Sequence, residues 1–295
     1  MQSLLQNIRA QLSDVYSPEE LRGISLYILE KITGCSRAEI LANKVTELSA
    51  KKQHELEIIL ARLKNFEPVQ YVFGKTEFYG LPFFVNSDVL IPRPETEELV
   101  DWIIKQLQIT NYELRVENQQ STRVNSDLRI LDVGTGSGCI AIALAKNLPQ
   151  CSVTAIDISP EALAIAQKNA EQNGVSITFL EENIFSFDTS EKYDIIVSNP
   201  PYVCEMEKNE IAENVLNYEP HLALFVANEN PLIFYEAIAG FAKKQLNKGG
   251  FLYFEINRAF GGKITEMLRK KGFGNVQLRK DLFGNDRMLR AMINC

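Results

Sequence analysis

From Leu128 onward the chain alternates short apolar segments with helical patterns. The apolar segments are LRILDV, SVTAID, VSITFL, YDIIVSN and GFLYFEI. Strands that alternate with helices in this way form a parallel sheet that is covered by helices on both faces. The sequence therefore predicts an α/β domain. A further helix is expected over residues 263–271, and two last strands are expected over 276–278 and 288–293.

The N-terminal residues show a different pattern, without strand signals. Ser17 is followed by Pro18 and two acidic residues, which is typical of a helix start. Apolar residues at helical spacing indicate another helix from Thr46 to Lys64. We therefore expect a small helical bundle at this end of the chain.

The segment that connects these two regions is rich in aromatic and β-branched residues. Residues 70–91, QYVFGKTEFYGLPFFVNSDVLI, contain Gly74 and Gly80 and predict a β-hairpin. A helix is expected to start near Thr96, and the polar residues 108–127 are expected to form a surface loop.

Composition narrows the class of protein. The 31 basic and 38 acidic residues give a net charge of −7, which disfavours an extended grip on nucleic-acid phosphates. Two histidines and five scattered cysteines form no metal-binding pattern, so we expect free thiols and no metal site. With no long apolar run and no secretory signal in the sequence, we expect a cytoplasmic protein. We also expect a monomer.

A glycine-rich segment follows the first predicted strand of the α/β domain. It reads Gly134, Thr135, Gly136, Ser137 and Gly138. Glycine permits sharp turns and close approach to a ligand, and loops at the carboxyl ends of parallel strands bind ligands. The dinucleotide fingerprint GxGxxG requires glycine where this chain has Cys139, which disfavours a nicotinamide cofactor.

Two aspartates at strand ends point to the kind of ligand. Asp157 ends the second strand of this domain, where a carboxylate can accept hydrogen bonds from both ribose hydroxyls. The alternative is that Asp157 only stabilises the N-terminus of the next helix. Asp132, at the end of the first strand, is expected to face the ammonium group of a methionine moiety. A nucleoside without phosphates that carries an amino-acid tail fits S-adenosylmethionine.

The fourth strand of the domain runs into a stiff turn. The turn reads Asn199, Pro200, Pro201 and Tyr202. A carboxamide nitrogen is a weak nucleophile because its lone pair is delocalised. The Asn199 side-chain oxygen and the Pro200 carbonyl can accept its two N–H groups, aim the lone pair and stabilise the developing charge. Tyr202 is expected to stack on the flat group. The alternative is a rigid loop in which the asparagine merely caps a turn.

Five stretches link these features. They are QYVFGKTEFYGLPFFVNSDVLIPRPETEELV, LDVGTGSGCIAIALA, SNPPYV, YEPHLALF and DLFGNDRMLRA. In them the chain resembles the HemK/PrmC family, the release factor glutamine methyltransferases, over nearly its whole length. NPPY alone is shared with adenine and guanine amino-methyltransferases, whereas IPRPETE together with GTGSG and NPPY is far more specific.

The resemblance implies an architecture and a reaction. It implies a helical release-factor-recognition domain over residues 1–68, a β-hairpin linker over 69–92 and a seven-stranded class I (Rossmann-like) methyltransferase domain over 93–295. It also implies methylation, at N5, of the glutamine in the GGQ motif of class 1 peptide chain release factors.

The resemblance also carries site residues over to this sequence. The cofactor residues correspond to 134–138, Asp157 and Asn199, and the substrate site corresponds to 199–202. Arg93 and Glu95 are expected at the mouth of the substrate site, although both could simply form a structural turn.

Two departures from the family pattern concern the site. After the fifth strand the family usually has glycine and then glutamine, where this chain has Asn257 and Arg258. Many members have Asp-Trp-Phe near the adenine, whereas this chain has Asn183, Ile184 and Phe185. The sequence therefore leaves open how the adenine is held.

Two other functions are compatible with parts of the pattern. An amino-methyltransferase acting on adenine or guanine of DNA or RNA would use the same NPPY chemistry on a flipped base. The acidic net charge, and the lack of a basic, aromatic-rich segment, disfavour it. A non-enzymatic scaffold is disfavoured because the glycine loop and the NPPY turn are both intact.

Overall fold

The computed structural model describes residues 2–42, 47–117 and 128–293. Its helices are α1 (Gln2–Leu12), α2 (Pro18–Thr33), α3 (Arg37–Leu41), α4 (Ala50–Lys64), α5 (Val69–Phe73), α6 (Pro94–Glu117), α7 (Cys139–Asn147), α8 (Pro160–Asn173), α9 (Glu213–Tyr218), α10 (His221–Leu224), α11 (Ile233–Gln245) and α12 (Gly261–Lys270). Its strands are β1 (Lys75–Phe78), β2 (Leu81–Phe84), β3 (Arg129–Val133), β4 (Ser152–Asp157), β5 (Thr178–Glu181), β6 (Tyr193–Ser198), β7 (Val203–Cys204), β8 (Phe225–Val226), β9 (Leu246–Glu255), β10 (Phe273–Lys280) and β11 (Asp286–Ile293). A 3-10 helix spans Glu205–Glu210.

The chain divides into two compact units. The first comprises residues 1–74 and 212–218, and the second comprises residues 75–211 and 219–295. In the second unit, strands β9, β10 and β11 complete the sheet that residues 129–198 begin, so each unit is built from segments that are distant in sequence.

The first unit is helical, as the sequence predicts. Ser17 caps α2 by accepting the Glu20 N–H, and the Glu20 carboxylate accepts the Ser17 N–H in return. Buried apolar side chains of α1, α2 and α4 form its core. The predicted start of α4 at Thr46 is wrong, because Ser49 is the N-cap and the helix begins at Ala50.

The hairpin predicted over residues 70–91 is confirmed only over its central part, where β1 and β2 pair antiparallel. The expectation that its first residues are extended is wrong, because Val69–Phe73 form helix α5, which ends at Gly74 in the left-handed conformation. Tyr79 and Gly80 form the turn of the hairpin, both with positive φ. Phe78 and Phe83 are buried and meet edge to face, with 6.0 Å between the ring centroids. Because both rings join the apolar cluster that contains α6 and α7, the hairpin is anchored in the second unit.

A seven-stranded sheet forms the centre of the second unit, in the order β10-β11-β9-β6-β3-β4-β5. The strands from β9 to β5 are parallel to one another, and β11 and β10 add an antiparallel edge. One apolar cluster contains α6 and α7, and a second contains α11 and α12. The predicted α/β class with a seven-stranded methyltransferase-type sheet is confirmed.

The strand order reverses beside β3, and this position determines where a ligand can bind. β3 pairs with β4 on one side and with β6 on the other. Ligands of open α/β sheets bind in the crevice at such a switch point, outside the carboxyl ends of the strands. The glycine segment follows β3 and the Asn-Pro-Pro-Tyr turn follows β6, so the two motifs leave the sheet side by side.

The expected surface loop over residues 108–127 is wrong in its first half. Helix α6 extends to Glu117. The apolar pattern of its early turns gives way to polar residues, and these residues are still compatible with a helix. Residues 118–127 lie outside the described residues, and so does the rest of that prediction.

Two further expectations concern the chain as a whole. Cys35, Cys139, Cys151 and Cys204 are free thiols, as expected, and Cys295 lies outside the described residues. Within the described ranges, none of the helices has the length and apolar character that crossing a membrane requires.

Candidate functional site

The glycine segment makes a tight turn between β3 and α7. Gly134, Gly136 and Gly138 have φ of 70°, 53° and 81°, values that L side chains rarely adopt. The carbonyl of Ile156 in β4 accepts the N–H groups of Gly134 and Thr135 at 2.9 and 3.0 Å. The loop is therefore fixed to the neighbouring strand.

The three glycines serve different purposes. A Cβ on Gly134 or Gly136 would meet no described atom within 4 Å, so their outer face is open to a ligand. A Cβ on Gly138 would lie 2.9 Å from the Ile142 side chain and 3.1 Å from the Cβ of Ala166. Gly138 therefore permits close packing of α7 and α8, and it is not among the residues that line the cavity described below.

Asp157 connects the end of β4 to the glycine loop. Its Oδ2 accepts the Gly136 N–H at 2.8 Å, and its Oδ1 accepts the Ser159 N–H at 3.0 Å. Burial raises the pKa of Asp157, and these backbone donors partly oppose that effect. Each oxygen keeps a second lone pair for a hydroxyl group of a ligand. The sequence alternative is also partly realised, because Ser159 is the N-cap of α8.

Asp132 lies near the end of β3. Its side chain is fully buried below the loop and accepts the Thr135 hydroxyl at 2.6 Å. Among the described residues that line the cavity, Asp132 is absent. Burial raises the pKa of Asp132 to about 7, against the lowering effect of the Thr135 hydrogen bond. Its Oδ1 is buried and has no hydrogen-bond partner among the described residues, so the expectation that Asp132 faces a methionine ammonium group stays a prediction.

The Asn-Pro-Pro turn begins directly beside the glycine loop. Val133 and Ser198 are partners in the parallel register, and the Ser198 hydroxyl donates to the Val133 carbonyl at 2.7 Å. The Asn199 Nδ2 donates to the Thr96 hydroxyl oxygen at 3.3 Å. Because the nitrogen end of the Asn199 amide is engaged, its oxygen is the end left for a ligand.

A cavity of about 280 Å³ lies between the two motifs. Gly134, Thr135, Gly136, Ser137 and Asp157 line one part of it, and Asn199, Pro200 and Pro201 line another. The structure thus brings together at one cavity all of the predicted cofactor residues except Gly138.

An apolar wall completes this cavity. It consists of Ile158, Ile184, Phe185, Leu222, Phe234 and Ile238. The Phe185 and Phe234 rings lie 5.2 Å apart between centroids, and Ile158, Phe185 and Leu222 are exposed although apolar. The sequence singles out only Ile184 and Phe185 of this wall, as a departure from the family pattern. The others were missed because Ile158 is a single apolar residue after a strand, and Leu222, Phe234 and Ile238 belong to helices whose apolar residues carry no distinctive signal.

A cysteine also lines the cavity. Cys139 is the first residue of α7. Burial and the negative charge of Asp132 raise the pKa of the Cys139 thiol to about 12. At neutral pH this side chain is therefore an uncharged thiol.

Arg93 and Glu95 occupy different environments. Arg93 lines the cavity and donates to the Glu219 carboxylate at 2.6 Å. Glu219 is buried and also accepts the Ile91 N–H at 3.1 Å, so it fixes the turn before α6. Glu95 is not among the described residues that line the cavity.

Tyr202 is turned toward a different part of the molecule. Its hydroxyl donates to Glu255 at 3.2 Å, and it lines a second cavity together with Glu207, Asn257 and Arg287. Burial, followed by the negative charge of Glu255, raises the pKa of Tyr202 far above its usual range. The ring therefore does not line the larger cavity as stacking on a flat group there would require.

Sequence reasoning also missed Thr96 and Glu255. Thr96 lies in the first turn of α6, and its hydroxyl donates to Glu255 at 2.6 Å. Glu255 ends β9, and only 1% of its surface is exposed. A single acidic residue at the end of the apolar segment GFLYFE is the signal that could have drawn attention to Glu255.

The arrangement combines three kinds of surface at one cavity. Backbone turns and the Asp157 carboxylate can hold a polar nucleoside and its tail, and the apolar wall can hold a flat base. Asn199 and Pro200 line the same cavity, and an asparagine side-chain oxygen and a proline carbonyl are acceptors of the kind that suits an NH₂ group. These surfaces suit the transfer of a small group to a planar nitrogen.

Comparison with known protein families supports this description. The model of the PrmC N-terminal domain matches residues 3–74, and the model of the methyltransferase small domain matches residues 116–222.

Two relatives that are similar to this chain over their full length carry the same name. The release factor glutamine methyltransferase of Flavobacterium psychrophilum is 47% identical over 293 residues, which cover 98% of this chain and 99% of the relative. The protein of that name from Bacteroides thetaiotaomicron is 48% identical over 293 residues, with 99% of both chains covered.

Similar solved structures support the fold alone, because they are distant in sequence. The hMettl16 catalytic domain in complex with MAT2A 3'UTR hairpin 6 has a TM-score of 0.57 at 18% identity and covers 78% of this chain and 84% of its own. A T. thermophilus 16S rRNA methyltransferase (RsmC) in complex with AdoMet and guanosine has a TM-score of 0.50 at 18% identity. That match covers 75% of this chain and 50% of its own.

Proposed function

The chain belongs to the release factor glutamine methyltransferase family, and on this premise we propose that it methylates the side-chain amide nitrogen, N5, of a glutamine in a peptide chain release factor. The methyl donor is S-adenosylmethionine, and the target is the glutamine of the GGQ motif in class 1 release factors. The protein acts as a monomer in the cytoplasm.

The residues of the glycine loop and of β4 fit this cofactor. Gly134, Gly136 and Asp157 offer backbone turns with an open outer face and a carboxylate with unused lone pairs. Thr135, Ser137 and Asn199 line the same cavity, while Gly138 contributes by letting the helix behind the loop pack closely. The apolar wall beside Phe185 and Phe234 is the place for the adenine. When bound, the cofactor supplies a methyl group on a positively charged sulfur.

The turn after β6 prepares the amide for reaction. The Asn199 side-chain oxygen accepts one N–H of the substrate amide, and the Pro200 carbonyl accepts the other. These two bonds fix the NH₂ group, aim the nitrogen lone pair at the methyl carbon and stabilise the positive charge that develops on nitrogen. The product amide then loses one proton to solvent, so no strong base is needed.

The remaining proposed site residues support the substrate. Pro201 lines the cavity with Pro200 and keeps the turn stiff. Tyr202 follows it and borders the second cavity, beside which the rest of the substrate loop would pass. Arg93 lines the cavity next to α6, and Glu95, in the first turn of α6, adds negative charge near Glu255.

One observation carries the proposal. The Asn199 amide nitrogen donates to Thr96, and Asn199 lines the cavity that the glycine loop also lines, which supports an Asn199 oxygen that faces the substrate. An amide oxygen beside a proline carbonyl is the acceptor pair that an NH₂ substrate requires.

The decisive experiment measures methyl transfer from labelled S-adenosylmethionine. Purified protein should label a class 1 release factor and should not label the variant in which the GGQ glutamine is replaced by alanine. Equal labelling of the two release factors contradicts the proposed target. Labelling of added DNA or RNA instead of protein would indicate the base amino-methyltransferase.

A further inference from the structure

Glu255 lies at the centre of a buried hydrogen-bond network. Its Oε2 accepts the Thr96 hydroxyl at 2.6 Å, and its Oε1 accepts the Tyr202 hydroxyl at 3.2 Å. Thr96 in turn accepts the Asn199 Nδ2–H at 3.3 Å. One carboxylate is thus connected to the first and the last residue of the Asn-Pro-Pro-Tyr turn.

The network has a fixed direction. An ionised carboxylate can only accept hydrogen bonds, so the single hydroxyl proton of Thr96 points to Glu255. The lone pairs of the Thr96 oxygen then face Asn199 and can be satisfied only by its NH₂ end. If the Asn199 amide were rotated by 180°, two acceptor oxygens would face each other, and a buried acceptor would be left unsatisfied.

We propose that Thr96 and Glu255 are positioning residues that fix the Asn199 amide with its oxygen toward the substrate. This inference deepens the proposed amide methylation and rests on it. With the opposite orientation, Asn199 would present its own NH₂ group to the NH₂ group of the substrate, and the reacting nitrogen would lose an acceptor.

The pKa of Glu255 is raised on balance by burial, but several neighbouring groups oppose this effect and favour the ionised, accepting form. The Thr96 hydrogen bond and the positive charge of Arg287 lower the pKa. Glu95 adds a weaker effect that raises it. Arg287 is itself held by Asp281, which accepts its Nε–H at 3.2 Å. The buried carboxylate therefore has two hydroxyl donors and a nearby cation.

Thr96 allows the first test, because its hydroxyl and its methyl group can be separated. Thr96→Val removes the hydroxyl at nearly constant shape, and Thr96→Ser keeps it. We expect Thr96→Val to lower kcat for release factor methylation roughly 10- to 100-fold, because small misplacements of an orienting group have effects of this size. The KM for release factor and the cofactor affinity should stay close to the wild-type values, and Thr96→Ser should retain most of the activity.

Two further variants control and extend this test. Thr265→Val removes a buried hydroxyl on α12 that has no hydrogen-bond partner among the described residues, and it should leave kcat unchanged. Glu255→Met removes the acceptor at similar length and should lower kcat at least as much as Thr96→Val, because it also releases Tyr202. Thermal unfolding shows whether each variant is folded, and the Thr96 pair decides the question if Glu255→Met is not.

A second readout does not depend on the substrate. The side-chain NH₂ signal of Asn199, assigned by its loss in Asn199→Asp, can be followed by NMR. Its hydrogens should be protected from exchange with water in the wild type and in Thr96→Ser, and exposed in Thr96→Val.

The outcomes separate the inference from the proposed function. Wild-type turnover by Thr96→Val, equal loss in Thr96→Val and Thr96→Ser, or unchanged NH₂ protection in Thr96→Val would each overturn the positioning role. A wild-type protein that methylates no release factor would overturn the proposed function, while the NMR comparison would still decide whether Thr96 orients Asn199.

Discussion

The glycine loop and the Asn-Pro-Pro-Tyr turn leave adjacent strands of one sheet, yet they obtain their shapes in different ways. The glycine loop is determined locally, by positive φ angles and by hydrogen bonds to the next strand. The turn is stiffened locally by its prolines, but its asparagine side chain is hydrogen-bonded to Thr96, which is 103 residues away. Thr96 is in turn hydrogen-bonded to Glu255. A loop whose shape depends on its own backbone can therefore be predicted from a short motif, whereas the orientation of a side chain that is held by distant residues cannot.

The largest expected effect tests the turn. Asn199→Ala removes the oxygen acceptor for the substrate amide, and we expect kcat to fall by about 10²- to 10³-fold, as for the loss of one group that stabilises a transition state. Cofactor binding should change little, because the glycine loop and Asp157 stay intact. Turnover and equilibrium binding of the cofactor, measured on the same preparation, check both statements. Undiminished turnover would remove Asn199 from the role proposed for it.

A pair of glycine variants tests the local character of the loop. Gly138→Ala should lower the free energy of unfolding by about 2–4 kcal/mol, because left-handed backbone strain adds to the contact with Ile142. An alanine at position 136 would have only the backbone strain, so Gly136→Ala should lower the free energy of unfolding by about 1–2 kcal/mol. Urea unfolding of the two variants compares them directly. If both lose the same amount, close packing behind Gly138 is not what the glycine provides.

The last prediction concerns a gradual, pH-dependent effect of the charge beneath the loop. The pKa of Asp132 is about 7 in the folded protein and about 4 in an unfolded chain, so the folded state binds the proton more tightly. The folded state therefore gains stability at low pH and loses it as the pH rises toward 7, by at most about 1.4 kcal/mol per pH unit. Asp132→Asn should remove this dependence.

The measurement for Asp132 is a difference between two proteins. Unfolding free energies of the wild type and of Asp132→Asn are compared at several pH values between about 5 and 8, where the asparagine does not titrate. The difference in unfolding free energy in favour of Asp132→Asn should increase with pH. A difference that is constant over this range would show that Asp132 is already ionised at low pH in the folded protein.

Much of the fold and part of the site could be predicted from the sequence. The alternation after Leu128 predicts the parallel strands, because each buried strand is a continuous apolar run between helical patterns. The sequence places the glycine segment, Asp157 and Asn199 together, since residues that follow parallel strands meet at one edge of the sheet. In the structure Asp157, Asn199 and the glycine segment apart from Gly138 line one cavity.

The parts that could not be predicted depend on contacts between distant residues or on the direction in which a side chain points. Tyr202 points toward Glu255, because local periodicity does not determine which side chain at a strand end turns away from the cavity. The bond between Arg93 and Glu219 spans 126 residues. The predicted loop after residue 108 is helical up to Glu117, since a polar composition excludes burial but does not exclude a helix.

The thiol of Cys139 has a consequence for chemical selectivity. A thiolate is a far stronger nucleophile than an amide, and a sulfur anion beside an alkylating agent would take the methyl group itself. With its pKa raised to about 12, Cys139 keeps its proton at physiological pH. If the proposed S-adenosylmethionine occupies the cavity, the protonated Cys139 thiol would not compete with the weaker nitrogen nucleophile of the substrate for the methyl group.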